Sequence, residues 1–97
     1  MLFIVFHLLE VFYSEHCIAC PEARHAVRQL AASRPDVVVV ERDVESHLEL
    51  AKRYRVIATP AVVIDGDAVI YGVPRLTTLA ARVDASHPLT HSDEDPR

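Results

Sequence analysis

Two short apolar runs limit what this chain can become. In "LLEVFY" (residues 8–13) and "VVVV" (residues 37–40) large residues fill consecutive positions instead of alternating with polar ones. β-Branched and aromatic residues favour strands. Because successive strand side chains point to opposite faces, both runs present apolar groups on both sides. Strands of that kind sit inside a sheet covered on each face, the arrangement that a helical crossover makes between parallel strands. The segment between the runs supplies the crossover. Ala19, Ala23, Ala26, Val27 and Leu30 recur at helical spacing from 18 to about 33, with Arg24, Arg28 and Gln29 on the other face. Pro21 falls in the first turn, where a missing N–H has no intrahelical partner to lose. Pro35 disfavours helix at Arg34 and ends it. Residues 2–6 are apolar too; they either extend the first strand or form a separate edge segment.

Downstream, Ser46 is the expected N-cap of "HLELAKRYRV", with Glu49 three residues on completing a capping-box pattern. That helix is expected to end near Val56, with Leu48, Leu50, Ala51 and Tyr54 as its apolar side. "AVVIDGDAVIYG" reads as two strands around Asp65-Gly66, a hairpin turn that needs positive φ. "PRLTTLAARV" reads as a helix opened by Pro74, with Leu76, Leu79, Ala80 and Val83 on one face. The order is β-α-β-α-β-β-α, an α/β domain with a four-stranded mixed sheet and helices on both faces. It occupies residues 1–84. The remaining residues, 85–97, are polar and acidic with two prolines, and are expected to be disordered.

Composition narrows the function. A formal charge of −4 over 97 residues argues against a nucleic-acid binder working through phosphate contacts. The opening "MLFIVFHLLEVFY" is too short for a membrane-spanning helix and is interrupted by His7 and Glu10. It lacks the basic region and small-residue cleavage site of a secretory signal, so it reads as structure in a cytoplasmic protein that engages no membrane. With two cysteines the chain cannot build the disulfide framework of a small secreted scaffold.

Those cysteines, Cys17 and Cys20, fall where the first strand opens into the first helix. Unpaired N–H groups and the positive end of the helix dipole stabilise a thiolate there, which lowers the pKa of the first thiol. A partner three positions on lies across one helical turn, suiting a dithiol that opens and closes as a disulfide. Two other readings stand beside it. His16, Cys17 and Cys20 offer two thiolates and an imidazole to zinc or copper(I), although no second cysteine pair completes a structural zinc site. The cysteines can also be small core residues, or the relics of a non-catalytic interaction module. Thr59-Pro60, directly before the third strand, is a position that strand geometry permits proline in any case.

Taken together in this order, "EVFYSEHCIACP", "ATPAVVIDG" and Gly72 before the last helix resemble the thioredoxin superfamily, in particular its small glutaredoxin-sized members, over residues ~8–84. The resemblance implies a thioredoxin-like fold and a thiol–disulfide oxidoreductase. It implies that Cys17 is the exposed nucleophile, that Cys20 is the resolving thiol, and that the Thr59–Pro60 bond is cis. Thr59 would offer its backbone to an extended substrate segment, and Gly72 would lie where a bound partner passes. The redox-active Cys17–Cys20 disulfide is then the only redox group, with no metal or further cofactor. Protein disulfides are the implied substrates and an unidentified reductase the electron source, with a monomer as the working unit.

The chain departs from the family at three places. His16 stands where thioredoxins carry a tryptophan; as an imidazolium it would lower the Cys17 pKa further. Val11 stands where they carry a buried aspartate that moves the proton of the second thiol. The adjacent Glu10 points to the opposite face of the strand and does not simply replace it. "YGVPRLTT" lacks the acidic pair with which glutaredoxins hold glutathione, which argues against glutathione as a partner.

Overall fold

The computed structural model describes residues 3–92. In chain order it contains β1 (Phe3–Tyr13), α1 (Cys20–Ser33), β2 (Val37–Asp43), a 3-10 turn (Val44–Ser46), α2 (Leu48–Arg53), β3 (Ala61–Ile64), β4 (Ala68–Tyr71), α3 (Leu76–Asp84) and β5 (Leu89–Ser92). The two apolar runs do pair in parallel: His7 to Tyr13 of β1 lie opposite Val37 to Asp43 of β2. On its other side β1 takes β3 antiparallel, and β4 follows, giving the strand order β2-β1-β3-β4. This is the four-stranded mixed sheet that the patterning implied.

The fifth strand corrects the expectation of a disordered tail. Leu89–Ser92 pairs antiparallel with Phe3–Phe6, a stretch of β1 beyond the reach of β2, which starts opposite His7, and of β3, which ends opposite Leu9. That open backbone supplies the hydrogen bonds a polar segment cannot find in a core. The same pairing shows that Phe3 to Phe6 extend β1 rather than forming a separate element; Leu2 lies outside the described residues. Of the tail, 93–97 lie outside the described residues.

The sheet is covered on both faces, by different materials. On one side α1 and α3 close a core of Leu9, Val11, Val27, Leu30, Val62, Ile64, Leu79 and Val83. On the other, α2 and its flanks cover Phe12, Ala51, Ala61 and Val63, with the Tyr54 ring edge-on to Phe12 at 6.3 Å. Glu10 shares that second face with Phe12 and is 1% exposed. Arg42 Nε donates to its Oε2 at 2.9 Å, while Oε1 is buried with no hydrogen-bond partner among the described residues. Burial, followed by the nearby Glu10 carboxylate, pushes the Tyr54 phenol above its ordinary pKa.

The turns show where local signals hold and where they fail. Asp65 and Gly66 both take positive φ, 54° and 72°, and the Asp67 N–H closes the turn on the Ile64 carbonyl. Asp65 is also anchored to β1, accepting from the Leu8 N–H at 2.6 Å and from His7 Nδ1 at 2.7 Å. Ser46, in contrast, does not cap α2. It ends the 3-10 turn, whose cap is the Asp43 carboxylate accepting from the Glu45 N–H, and α2 starts after His47 with no side-chain cap. α2 also stops early, at Arg53. Its end is a Schellman motif: Val56 N–H donates to Ala51 O and Arg55 N–H to Lys52 O, with Arg55 at φ 60°. Pro74 is buried but precedes the Arg75 N-cap, so it leads into α3 rather than opening it.

Candidate active site at the end of the first strand

Ser14 to Ala19 form the loop between β1 and α1, with the Cys17 N–H donating to Ser14 O and the Cys20 N–H to Cys17 O. Cys17 precedes the helix and is half-buried; Cys20 is its first residue and is 1% exposed. Their sulfurs are joined, so the dithiol stands in its oxidised form. α1 runs for 14 residues with Pro21 in its first turn, so its N-terminal N–H groups open toward this loop. The helix therefore begins two residues later than the apolar spacing suggested, which leaves Cys17 in the loop and Cys20 under it.

The other sequence-identified residues converge on the same end of the sheet. The Thr59–Pro60 peptide is cis. Ser14 and Thr59 share a hydrogen bond between hydroxyls at 3.0 Å, tying the cysteine loop to the proline loop. Gly72, at φ 82°, donates its N–H to Pro60 O at 3.0 Å, which brings the third loop alongside. Val11 is fully buried on the α1 face, and Glu10 is turned away from it, as the alternation of the strand required. His16 and His25 are exposed. Among the described residues, and with Cys17 and Cys20 joined, no group of three His, Cys, Asp or Glu side chains is placed to hold a metal ion.

Sequence reasoning missed several neighbours. A groove of about 260 Å³ opens beside the disulfide loop, lined by Ser14, Val44, Val56, Ile57, Ala58 and Thr59. Ile18 is 98% and Ile57 87% exposed, leaving apolar side chains in water between the cysteines and just before Thr59. Neither has a periodic pattern to reveal it; the available signal was an apolar residue between the cysteines for Ile18 and one directly before Ala58-Thr59-Pro60 for Ile57. On the outer side of the site the Arg24 guanidinium lies 4.0 Å from the centre of the Tyr13 ring. Arg24 Nε and Arg28 Nη2 both donate to Glu41 Oε1, at 2.8 and 2.5 Å, and Arg28 Nε donates to Oε2. Arg28 first, then Arg24, holds the Glu41 carboxyl below the usual carboxylate range. This cluster fixes α1 to β2 and so fixes the helix that carries Cys20.

Comparisons with known proteins bear on this geometry. Residues 8–84 match the family described as "Thioredoxin domain". A thioredoxin of Methanocaldococcus jannaschii is 34% identical over 76 residues, covering 77% of this chain and 89% of that protein. The oxidized form of mitochondrial thioredoxin 3 from Saccharomyces cerevisiae is similar in structure, with a TM-score of 0.71 at 28% identity over 82% of this chain and 78% of that one. The NTD_N/C domain of the alkylhydroperoxide reductase AhpF from Enterococcus faecalis gives 0.74 at 28% identity, over 80% of this chain and 38% of that one. Fold and closed dithiol together define the class, a thiol–disulfide oxidoreductase. The chain belongs to the thioredoxin domain family.

Proposed function

We propose that this protein reduces or exchanges disulfides in other proteins, with Cys17 as nucleophile and Cys20 as resolving thiol. The observation that carries this reading is the difference in exposure within the pair: Cys17 is half-buried at the loop surface and Cys20 is 1% exposed. Only the first can meet a bulky disulfide. With the pair reduced, the Cys17 thiolate attacks one substrate sulfur; the substrate S–S bond breaks, a mixed disulfide forms, and the departing thiolate takes up a proton. Cys20 loses its proton and attacks Cys17 Sγ. This closes the Cys17–Cys20 bond and releases the second substrate sulfur as a thiol. Two electrons and two protons have moved to the substrate, and a reductase must return them. That direction belongs to a reducing compartment such as the cytoplasm.

Substrate is received by the Thr59 backbone, with Gly72 beside it and the groove along Ile57 and Ala58. His16 is exposed and directly precedes Cys17, where an imidazolium favours a neighbouring thiolate. Insulin reduction with dithiothreitol as electron source tests the assignment. Cys17→Ala is expected to abolish turnover, and Cys20→Ala to accumulate a mixed disulfide visible by mass spectrometry. Full activity in Cys17→Ala would refute it.

A further inference from the structure

The segment from Arg55 to Ala58 bounds the groove and leads into Thr59, and of its four residues Val56 alone is packed, half-buried against the cluster of Phe12, Ala51, Ala61 and Val63. Arg55, Ile57 and Ala58 are exposed, and Ile57 keeps 87% of its surface in water. Beyond the Val56 contact, its conformation rests on hydrogen bonds. Its start is set by the Schellman end of α2, and its far end by the Ser14–Thr59 hydroxyl pair and the Pro60–Gly72 backbone bond. Between those anchors one side chain serves the backbone. Tyr71 Oη donates to Arg55 O at 2.9 Å and accepts from the Ile57 N–H at 3.3 Å.

Tyr71 is the last residue of β4 and directly precedes Gly72, so this phenol links the two loops on that side of the disulfide. The side chain is not there to fill a core, since Tyr71 is 44% exposed. A phenylalanine would supply the same ring without the two bonds. Arg55 also gains from the contact, because a non-glycine residue at φ 60° is uncommon, and its carbonyl is held in the orientation that this conformation gives it.

We propose that Tyr71 is a positioning residue: its phenol holds the 55–58 segment in the shape that receives an extended disulfide-bearing polypeptide beside Cys17. The inference rests on the protein-disulfide reading above and adds a determinant of substrate affinity remote in sequence from both cysteines. It separates large substrates from small ones. A polypeptide must lie along the groove, whereas a small aromatic disulfide needs only the Cys17 sulfur.

The test is Tyr71→Phe, assayed with insulin and with 5,5′-dithiobis(2-nitrobenzoate). Losing two modest hydrogen bonds is expected to raise KM for insulin by roughly fivefold. At the same time kcat and the small-disulfide rate should stay within about twofold, and exchange of the Ile57 amide should quicken. An unchanged insulin KM in an active protein overturns the role of Tyr71 and leaves the oxidoreductase assignment standing. An equal loss with both substrates also overturns it, since a general disturbance of the dithiol would be the cause. A wild-type protein that leaves insulin intact removes the assigned function itself, and this inference with it.

Discussion

The two faces of the sheet are built on different terms. Against α1 and α3 the side chains of Leu9, Val11, Val62, Ile64, Leu79 and Val83 are fully buried and wholly aliphatic. Against α2, the equally buried Phe12, Ala61 and Val63 share their face with a carboxylate, Glu10, and with Arg42. The aliphatic face carries the helix that begins at Cys20; the charged face carries the loop that leads to Thr59. The difference bears on chemistry, because proton traffic at a buried thiol needs a polar group on its own side of the sheet. On that side the strand offers Val11, and the buried Glu10 carboxylate lies across the strand.

Three experiments would break or sharpen this contrast. The largest effect is expected from Leu79→Ala, which empties volume in a packed aliphatic layer and should cost about 3 kcal/mol in urea unfolding. Loss of less than about 1 kcal/mol would mean that face is loosely packed. Next is Arg42→Met. It strands the Glu10 carboxylate and should cost about 2 kcal/mol, somewhat below a fully buried pair because the Arg42 side chain is 23% exposed. The double variant Glu10→Leu/Arg42→Met should recover most of that loss. It should also retain the wild-type rate of mixed-disulfide resolution, and a clear fall in that rate would show that Glu10 serves Cys20 after all.

The smallest effect belongs to Glu41, whose folded pKa is depressed by Arg28 and Arg24. A depressed carboxylate contributes stability that is complete above its unfolded pKa and disappears as pH falls through the folded value. The gap between wild type and Glu41→Gln in urea midpoint should therefore be present at pH 7 and shrink below about pH 4. A gap independent of pH would show that the cluster acts by packing alone.

Much of this molecule was legible because its signals are local. Val37 to Val40 and the runs around Phe12 announce buried strands by composition, Asp65-Gly66 announces its turn by dihedral demand, and a CxxC at a strand-to-helix junction announces its chemistry. What escaped was set by distant partners. Leu89 to His91 look like tail until Phe6, Val5 and Ile4 offer them a strand edge. Ser46 with Glu49 satisfies a capping pattern, but Asp43 turns the chain first and the helix starts late. Tyr71 reads as one more β-former; only the meeting of β4 with the end of α2 gives its hydroxyl something to hold. The exposed Ile18 and Ile57 follow no period at all, because nothing in the domain covers them.

The pairing of Phe3 with Ser92 has a mechanical consequence. Antiparallel bonds lie across the strand direction, so force applied to those two residues loads the β1–β5 ladder one rung at a time, from Phe3–Ser92 toward Phe6–Leu89. The disulfide sits past the other end of β1 and bears none of that load at first. Held by these two points, the protein would peel open as a zipper while its reactive end stayed folded, which makes residues 3 and 92 natural handles for a single-molecule measurement of disulfide exchange.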